Sequence, residues 1–258
     1  MTTAATQLNL SPNRTPLIAV ASGKGGVGKT SITLNLARAL AKAGKRVLVF
    51  DADLGLANID VQLGLTTEKD LSLVLRGEAT LADVVTRTQA GFDVIAGRNG
   101  SEDLPFTTAL DRRSILNDLR TLSSRYDLVL IDVAAGVNDE VLIFAKAADR
   151  TLLVVTPDPS SITDAYAVIK LLKLRHDTTN CDILINQSGT ELDGKQTYAR
   201  LATATEKFLG FKPPLKGVLP HDKQYAQAVR LQQLVLDAFP AAKASETLTT
   251  LAKSLLAR

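Results

Sequence analysis

The hydrophobic positions of this chain form short continuous runs that alternate with longer stretches of helical spacing. Short runs rich in Val, Ile and Leu are typical of parallel strands whose two faces are both covered. Strands are predicted at 17–21, 46–50, 93–96, 128–131, 151–155, 181–185 and 215–219. Helices are predicted at 30–43, 109–124, 139–147, 162–175, 194–209, 222–229 and 245–256.

This alternation predicts an α/β fold, a doubly wound and mostly parallel sheet flanked by helices, with ligands at the carboxyl ends of the strands. The segment 56–89 departs from the pattern, because its short helical pieces are broken at Gly64 and Gly77. We expect it to pack on the sheet as an insertion. Residues 1–16 are polar and are expected to be a flexible lead-in. The rest of the chain, 17–258, is predicted to be a single domain.

A glycine-rich loop lies between the first predicted strand and the first predicted helix. It fits the pattern G-x-x-x-x-G-K-[ST]. A strand, such a loop and a helix together direct backbone N–H groups and a helix N-terminus at a phosphate. Lys29 is placed to reach the β- and γ-phosphates, and the Thr30 hydroxyl to ligate Mg²⁺. The nucleotide contacts predicted in this loop are Gly23, Lys24, Gly25, Gly26, Val27, Gly28, Lys29, Thr30 and Ser31.

Carboxylates follow two other predicted strands. The second strand leads into Asp51 and Asp53, which can serve a Mg²⁺ ion and an attacking water, the two tasks that phosphoryl transfer requires. The fourth strand ends in Asp132, the Walker B arrangement in which the aspartate holds the Mg²⁺ shell. The predicted metal ligands are therefore Thr30, Asp51 and Asp132.

Composition excludes several other classes of protein. The formal net charge is only +3, so no strongly basic surface and no specific nucleic-acid binding is predicted. A single cysteine, Cys181, excludes an intramolecular disulfide and suits a reducing compartment. No zinc-type spacing involves the histidines, His176 and His221. Because the apolar runs are far shorter than a membrane span and no apolar signal core is present, we expect a cytoplasmic protein.

One residue of the loop narrows the prediction further. Lys24, directly after the first glycine, resembles the signature lysine of the deviant P-loop ATPases, the MinD/ParA family. In that family this lysine crosses a dimer interface to the partner's nucleotide. The resemblance implies a slow ATPase that uses ATP/ADP and Mg²⁺ and forms a homodimer around ATP. It also implies that the run 51–55 is the first switch of the family. Lys24, Lys29 and Asp53 would then be catalytic, with Asp53 positioning the attacking water.

Further nucleotide contacts are implied by the same resemblance. Gly136, in the second switch, can give its backbone N–H to a γ-phosphate, although Val133 replaces the usual hydroxyl residue there. Asn186 occupies the place of an asparagine that binds adenine, and an amide can both donate to and accept from that base. Asp222 is expected near the base, and Asp158 is expected to contact ribose across the dimer.

The run 51–65 looks like the D-A-D-L-G-L-A-N-x-D-x-x-L-G-L sequence of the flagellar-number ATPases, the FlhG/FleN (YlxH) type. The run 156–167 is similar to their T-P-E-P-T-S-I-T-D-A-Y-A. The implied role is to help set flagellar number and placement. The implied partners are the SRP-type GTPase FlhF, components of the flagellar C-ring and a flagellar transcriptional regulator.

Other interpretations stay open. A MinD/ParA-type ATPase could position or partition another cargo, such as DNA, the division site or chemoreceptor arrays. A regulatory binder without turnover is left open by Val133, whereas an iron–sulfur carrier would need more cysteines than Cys181. The last predicted helix is modestly amphipathic. We expect it to pack on the sheet, and the alternative is a peripheral contact with the inner face of the cell membrane or the cell pole.

Overall fold

The computed structural model describes residues 14–53, 58–67, 69–97 and 108–256. Most of the predicted N-terminal lead-in, residues 1–13, lies outside these ranges. Residues 54–57, which are part of the run that resembles the flagellar ATPases, also lie outside them. Asp53 is the last residue described before this gap.

The described residues form an eight-stranded sheet whose order is β3-β4-β2-β5-β1-β6-β7-β8. Among these strands β3 runs antiparallel to β4, and the other neighbours are parallel. The strand order reverses beside β1, and such switch points are where open α/β sheets bind ligands. The strands are β1 Leu17–Ser22, β2 Val47–Ala52, β3 Val85–Arg87, β4 Asp93–Ile95, β5 Leu128–Ala135, β6 Arg150–Val155, β7 Cys181–Ser188 and β8 Leu215–Pro220.

Helices cover both faces of this sheet, which confirms the predicted doubly wound fold. One buried cluster packs α4 to α7 against the sheet, and the other packs α1 and α10 against the opposite face. A 3₁₀ turn, Ser123–Arg125, follows α4. The helices are α1 Lys29–Lys42, α2 Ile59–Leu63, α3 Leu71–Leu75, α4 Ala109–Leu122, α5 Asp139–Ala147, α6 Pro159–His176, α7 Glu191–Leu209, α8 Lys223–Arg230, α9 Val235–Ala238 and α10 Lys243–Leu256.

Two elements near the site extend beyond their predicted ends. β5 continues past Asp132 because its last residues pair with the end of β1. α6 begins at Pro159 rather than at residue 162. Asp158 caps it by accepting a hydrogen bond from the Ser160 backbone N–H at 2.8 Å, and proline suits a first helical position.

The segment 56–89 is less separate from the sheet than predicted. Among its described residues, Gly64 and Gly77 do interrupt the helical pieces, both with positive φ. Leu71 and Val84, however, are fully buried in the core, and 85–87 adds the strand β3, which the sequence pattern does not predict. This edge strand exists because it pairs antiparallel with β4. It is not predicted from the sequence, because three residues are too few to show the alternation of a strand.

The C-terminal helix packs as expected. The leucines on one side of α10, at 248, 251 and 255, are buried in the same cluster as α1. The predicted packing on the sheet is therefore confirmed. Within the described ranges, none of the helices combines the length and the apolar character needed to cross a bilayer.

Candidate functional site

The glycine-rich loop connects β1 to α1, as predicted. Gly26 and Gly28 have φ values of 76° and 88°, a left-handed conformation that a residue with a Cβ adopts at a cost. α1 begins at Lys29, and the Ile32 N–H donates to the Gly28 carbonyl at 3.0 Å. A Cβ on Gly26 would meet nothing within 4 Å, so the loop has open space beside its backbone. This geometry suits a phosphate group at the start of α1.

The loop is held in place by close packing at both ends. A Cβ on Gly23 would lie 2.5 Å from the backbone carbon of Asp164 in α6. A Cβ on Gly28 would lie 2.7 Å from Nδ2 of Asn186. Both contacts are closer than a side chain allows, so these glycines let α6 and β7 approach the loop backbone.

Two carboxylates lie side by side at the carboxyl ends of adjacent strands. Asp51 of β2 is paired in register with Asp132 of β5, and each is 1% exposed. Burial raises the pKa of Asp51 to about 7, and the nearby Asp132 charge adds to this effect. Burial also raises the pKa of Asp132, against the opposing effect of Lys29. Two buried carboxylates at one point make a site that favours a cation.

Lys29 places a positive charge beside this pair of carboxylates. Its Nζ lies 3.2 Å from Asp132 Oδ1, and the Lys29 side chain is only 9% exposed. The hydroxyl of Thr33 donates to the same carboxylate oxygen at 3.3 Å, and the hydroxyl of Thr30 also hydrogen-bonds Asp132. The structure therefore brings together Lys29, Thr30, Asp51 and Asp132, as the sequence predicts.

Asp51 also holds the backbone around residues 54–57. Its carboxylate accepts hydrogen bonds from the backbone N–H groups of Asp53 at 3.1 Å, Asn58 at 3.2 Å and Ile59 at 3.4 Å. These groups lie on both sides of that segment. A ligand that binds Asp51 would therefore act directly on the backbone at Asp53 and at Asn58.

The residues fit a Mg²⁺ ion. Mg²⁺ prefers oxygen ligands and usually keeps several waters, with one or two carboxylates and substrate phosphates completing its shell. Asp51, Asp132 and the Thr30 hydroxyl are oxygen donors of this kind. No group of three or more His, Cys, Asp or Glu residues that could hold a metal occurs in the described part of the chain. The ion would thus rely on water and phosphate for its remaining ligands.

Lys24 binds residues outside the acid centre, which is the cluster of Lys29, Thr30, Asp51 and Asp132. Its Nζ lies 2.6 Å from Asp158 Oδ2 and 2.7 Å from Ser160 Oγ, at the start of α6. The hydrogen bond from Lys24, with those from Ser160, lowers the pKa of Asp158 to about 2. Asp158 therefore stays ionised at any physiological pH. The described conformation places the predicted trans-acting lysine and the predicted ribose contact against each other within one chain.

The second switch is engaged with β1. The Gly136 N–H donates to the Ser22 carbonyl at 2.9 Å, so it would have to leave this bond to reach a γ-phosphate. Val133 is fully buried in the cluster beneath α4 and α5, whereas Asp132 takes the opposite face of the strand. The valine that replaces the family's hydroxyl residue thus packs in the core.

The two predicted base contacts occupy different positions. Asn186 is 3% exposed, and its Nδ2 donates to the Val27 carbonyl of the loop at 2.7 Å. Asp222 caps α8 by accepting from the backbone N–H of Gln224 at 2.8 Å, and it also accepts from the Ala244 N–H at 3.2 Å. Asn186 therefore supports the loop directly, while Asp222 ties α8 to α10.

Three residues at the site are missed by the sequence reasoning. Thr33 lies one helical turn after Lys29, so its i,i+4 spacing could have revealed it. The contact of Ser160 with Lys24 depends on the approach of α6 to the loop, so no sequence pattern near Ser160 predicts it. Glu140, in the first turn of α5, is half-buried. Burial raises its pKa, Arg112 opposes that effect, and the charge of Asp53 adds to it, which places Glu140 near the first switch.

Comparisons with known proteins agree with this geometry. A family model described as an AAA domain matches residues 15–185. The chain is 41% identical over 229 residues to the antiactivator FleN of Pseudomonas aeruginosa, covering 89% of this chain and 82% of FleN. It is 40% identical over 187 residues to the flagellum site-determining protein YlxH of Helicobacter pylori, covering 72% of this chain and 63% of YlxH.

Solved structures show the same fold. The cell division ATPase MinD of Pyrococcus furiosus has a TM-score of 0.77 and 26% identity, and the match covers 93% of this chain and 98% of MinD. The septum site-determining protein MinD of Pyrococcus horikoshii, complexed with Mg-ADP, has a TM-score of 0.77 and 25% identity, with 93% and 96% covered.

Proposed function

Because the chain belongs to the MinD/ParA family of P-loop ATPases, we propose that it is a switch that dimerises on ATP and Mg²⁺ and helps set flagellar number and placement. As a member of this family it binds ATP or ADP with Mg²⁺ and hydrolyses ATP. The flagellar part of the proposal is carried by one observation, the 41% identity with FleN over most of both chains. The similarity to YlxH, a flagellum site-determining protein, supports it.

The acid centre supports a mechanism based on positioning and charge neutralisation. Lys29 lies at the start of α1 with its ammonium beside Asp132, and it would bind a phosphate held by the loop. Thr30, Asp51 and Asp132 would hold Mg²⁺, which neutralises charge that develops on the phosphate oxygens. Asp53 is proposed to orient the attacking water.

The switch itself is proposed to work through two backbone regions. Asp51 accepts hydrogen bonds from the backbone of Asp53, Asn58 and Ile59, so the binding of a ligand at Asp51 would change the backbone of the first switch at Asp53. Gly136 would exchange its bond to the Ser22 carbonyl for one to a γ-phosphate. Because both regions contact the same nucleotide site, the nucleotide state would change the surface that partners bind.

We propose the partners by family resemblance: a second copy of the chain when ATP is bound, the SRP-type GTPase FlhF, components of the flagellar C-ring and a flagellar transcriptional regulator. The proposed location is the cytoplasm, with peripheral contact at the membrane or cell pole as the alternative. The burial of one side of α10 in the core argues against that helix as a membrane anchor.

Two experiments test the proposal at different levels. Deletion of the gene in its source bacterium is expected to change the number of flagella per cell. Normal flagellation with misplaced division sites or chromosomes would instead favour an ATPase that positions another cargo. For the chemistry, Lys29→Ala is expected to abolish measurable ATP binding by calorimetry. Unchanged ATP affinity in that variant would contradict the assignment of the loop.

A further inference from the structure

Lys24, Asp158 and Ser160 form a closed triangle of hydrogen bonds. The Lys24 ammonium donates to Asp158 Oδ2 and to Ser160 Oγ, and the Ser160 hydroxyl donates to Asp158 Oδ1 at 2.9 Å. Asp158 accepts a further bond from the Ser160 backbone N–H at 2.8 Å. In each of these bonds an N–H or O–H group donates and a hydroxyl or carboxylate oxygen accepts. The lysine is thus bound to a fixed acceptor and not merely near a surface charge.

The surrounding backbone makes this contact specific. Gly23 approaches the backbone of α6 more closely than any side chain would permit, and this brings the next residue, Lys24, to the start of that helix. The Lys24 carbonyl accepts a hydrogen bond from the Ser22 hydroxyl at 2.9 Å, which fixes the loop backbone at this point. Asp158 is held in turn by its role as the cap of α6. The lysine and its acceptors are therefore positioned from both sides.

We propose that Lys24, Asp158 and Ser160 form an intrachain latch that holds the lysine on its own chain and must open before the ATP-bound dimer can form. This inference rests on the proposed function, because it assumes that Lys24 acts on the nucleotide of a second copy. Two of the three N–H donors of the ammonium are used within the chain, so the closed latch leaves only one for a nucleotide across an interface. Dimerisation therefore exchanges bonds within each chain for bonds between the chains.

The latch is a partly exposed ion pair, so it can open and its effect on the dimerisation equilibrium is modest. The side chains of Lys24 and Asp158 are 40% and 47% exposed, so water stabilises both charges when they separate. An exposed ion pair typically changes an equilibrium by about 1.4- to 5-fold. A symmetric dimer opens two latches, so the effect on the dimerisation constant is squared, to about 2- to 30-fold.

The test compares dimerisation constants measured by analytical ultracentrifugation at saturating ATP and Mg²⁺. All proteins carry Asp53→Ala to prevent turnover. Asp158→Asn removes the charge but keeps an amide oxygen that can still accept a hydrogen bond from ribose across the dimer. Ser160→Ala removes one acceptor of the lysine and the bond that orients the other. The matched control is Thr163→Ala, because Thr163 is exposed on the same helix and its hydroxyl donates to the Pro159 carbonyl, away from the latch. We expect tightening of about 2- to 30-fold for Asp158→Asn and about 2- to 5-fold for Ser160→Ala, with none for the control.

A second measurement reports the latch without any dimer. The rate of amine acetylation at Lys24 is followed by mass spectrometry in the ADP-bound chain. We expect faster labelling in Asp158→Asn and Ser160→Ala than in Thr163→Ala, because a lysine freed from its acceptors reacts more readily.

The outcomes separate the latch from the proposed function. If the parent protein dimerises with ATP but neither latch variant tightens the dimer, the latch is refuted and the ATP-dependent dimer stands. If the parent and all variants remain monomeric, the proposed dimer is refuted, and the latch as its regulator falls with it. A parent that stays monomeric while Asp158→Asn dimerises would support the latch strongly.

Discussion

Replacing Lys29 with methionine tests what holds the acid centre together. Methionine keeps most of the apolar stem but removes the ammonium, and this leaves Asp132 buried beside Asp51 without the cation that pairs with it among the described residues. Breaking a buried ion pair by removing one partner costs about 3–5 kcal/mol. The Lys29–Asp132 pair meets that condition, because its side chains are 9% and 2% exposed. We expect a loss of about 3–5 kcal/mol in the free energy of unfolding at pH 8 without nucleotide.

The pH dependence of this loss has a definite sign. Burial raises the pKa of Asp132 even when Lys29 is present, and removing the ammonium raises it further. The folded variant then binds a proton at a pH where the unfolded chain does not, so its stability falls as pH rises through the acidic range. The difference from the wild type should therefore be smaller at pH 5.5 than at pH 8.

The assay is urea denaturation followed by circular dichroism, with chelator and without nucleotide. Nucleotide must be absent because it would stabilise only the folded form that binds it. Lys42→Met is the matched control. Lys42 is on the same helix, and its ion pair with Asp237 is about 40% exposed on both sides, so a change of only about 0–1 kcal/mol is expected. If Lys29→Met is no less stable than Lys42→Met at pH 8, the idea that Lys29 compensates a buried charge is wrong.

A second test of that idea uses the double variant Lys29→Met with Asp132→Asn. It removes the uncompensated charge, so it should recover most of the stability lost in the single variant. If the double variant is as unstable as Lys29→Met, the loss comes from packing rather than from the buried carboxylate.

Three other predictions concern the acid centre, the loop and the C-terminal helix. Without metal, the free energy of unfolding should fall between about pH 4 and pH 7, because folded Asp51 keeps its proton up to a pKa of about 7 and the unfolded carboxyl only to about 3.8. Urea titrations at several pH values should show a smaller fall in the free energy of unfolding with pH in Asp51→Asn than in the wild type. An equal fall in both proteins would show that Asp51 does not cause it. Gly23→Ala should lower the free energy of unfolding by about 1–3 kcal/mol, because its Cβ would meet the Asp164 backbone at 2.5 Å. In the same denaturation assay Gly25→Ala should have a free energy of unfolding close to that of the wild type, because a Cβ at Gly25 would meet nothing within 4 Å. Similar losses of stability in Gly23→Ala and Gly25→Ala would rule out this packing argument. Leu251→Ala should cost about 2–5 kcal/mol, because Leu251 is 2% exposed. A thermal unfolding midpoint close to that of the wild type would place α10 outside the core.

The sequence predicts the acid centre well because each of its members carries a local signal. Lys29 and Thr30 follow a glycine pattern, and Asp51 and Asp132 follow apolar strands. Parallel strands end at the same edge of a sheet, so the meeting of these residues follows from the fold class. The pairing of β2 with β5 places Asp51 directly beside Asp132.

The contacts of Lys24 show where local signals stop. Its position in the loop is evident from the sequence, but its acceptors lie far along the chain at the start of α6. Nothing near Lys24 in the sequence specifies that helix. The close approach of Gly23 to Asp164 decides it, and such an approach depends on how α6 packs across the sheet.

The sequence by itself determined the class of fold, the phosphate loop and the types of chemical group that surround the nucleotide site. These follow from patterns of a few residues, since periodicity and turn chemistry act over short distances. Tertiary structure alone decided how completely Asp51 and Asp132 are buried, which raises their pKa values, and that Lys24 binds Asp158 in its own chain. Desolvation and ion pairing depend on which distant groups pack together, and only the folded chain brings those groups into contact.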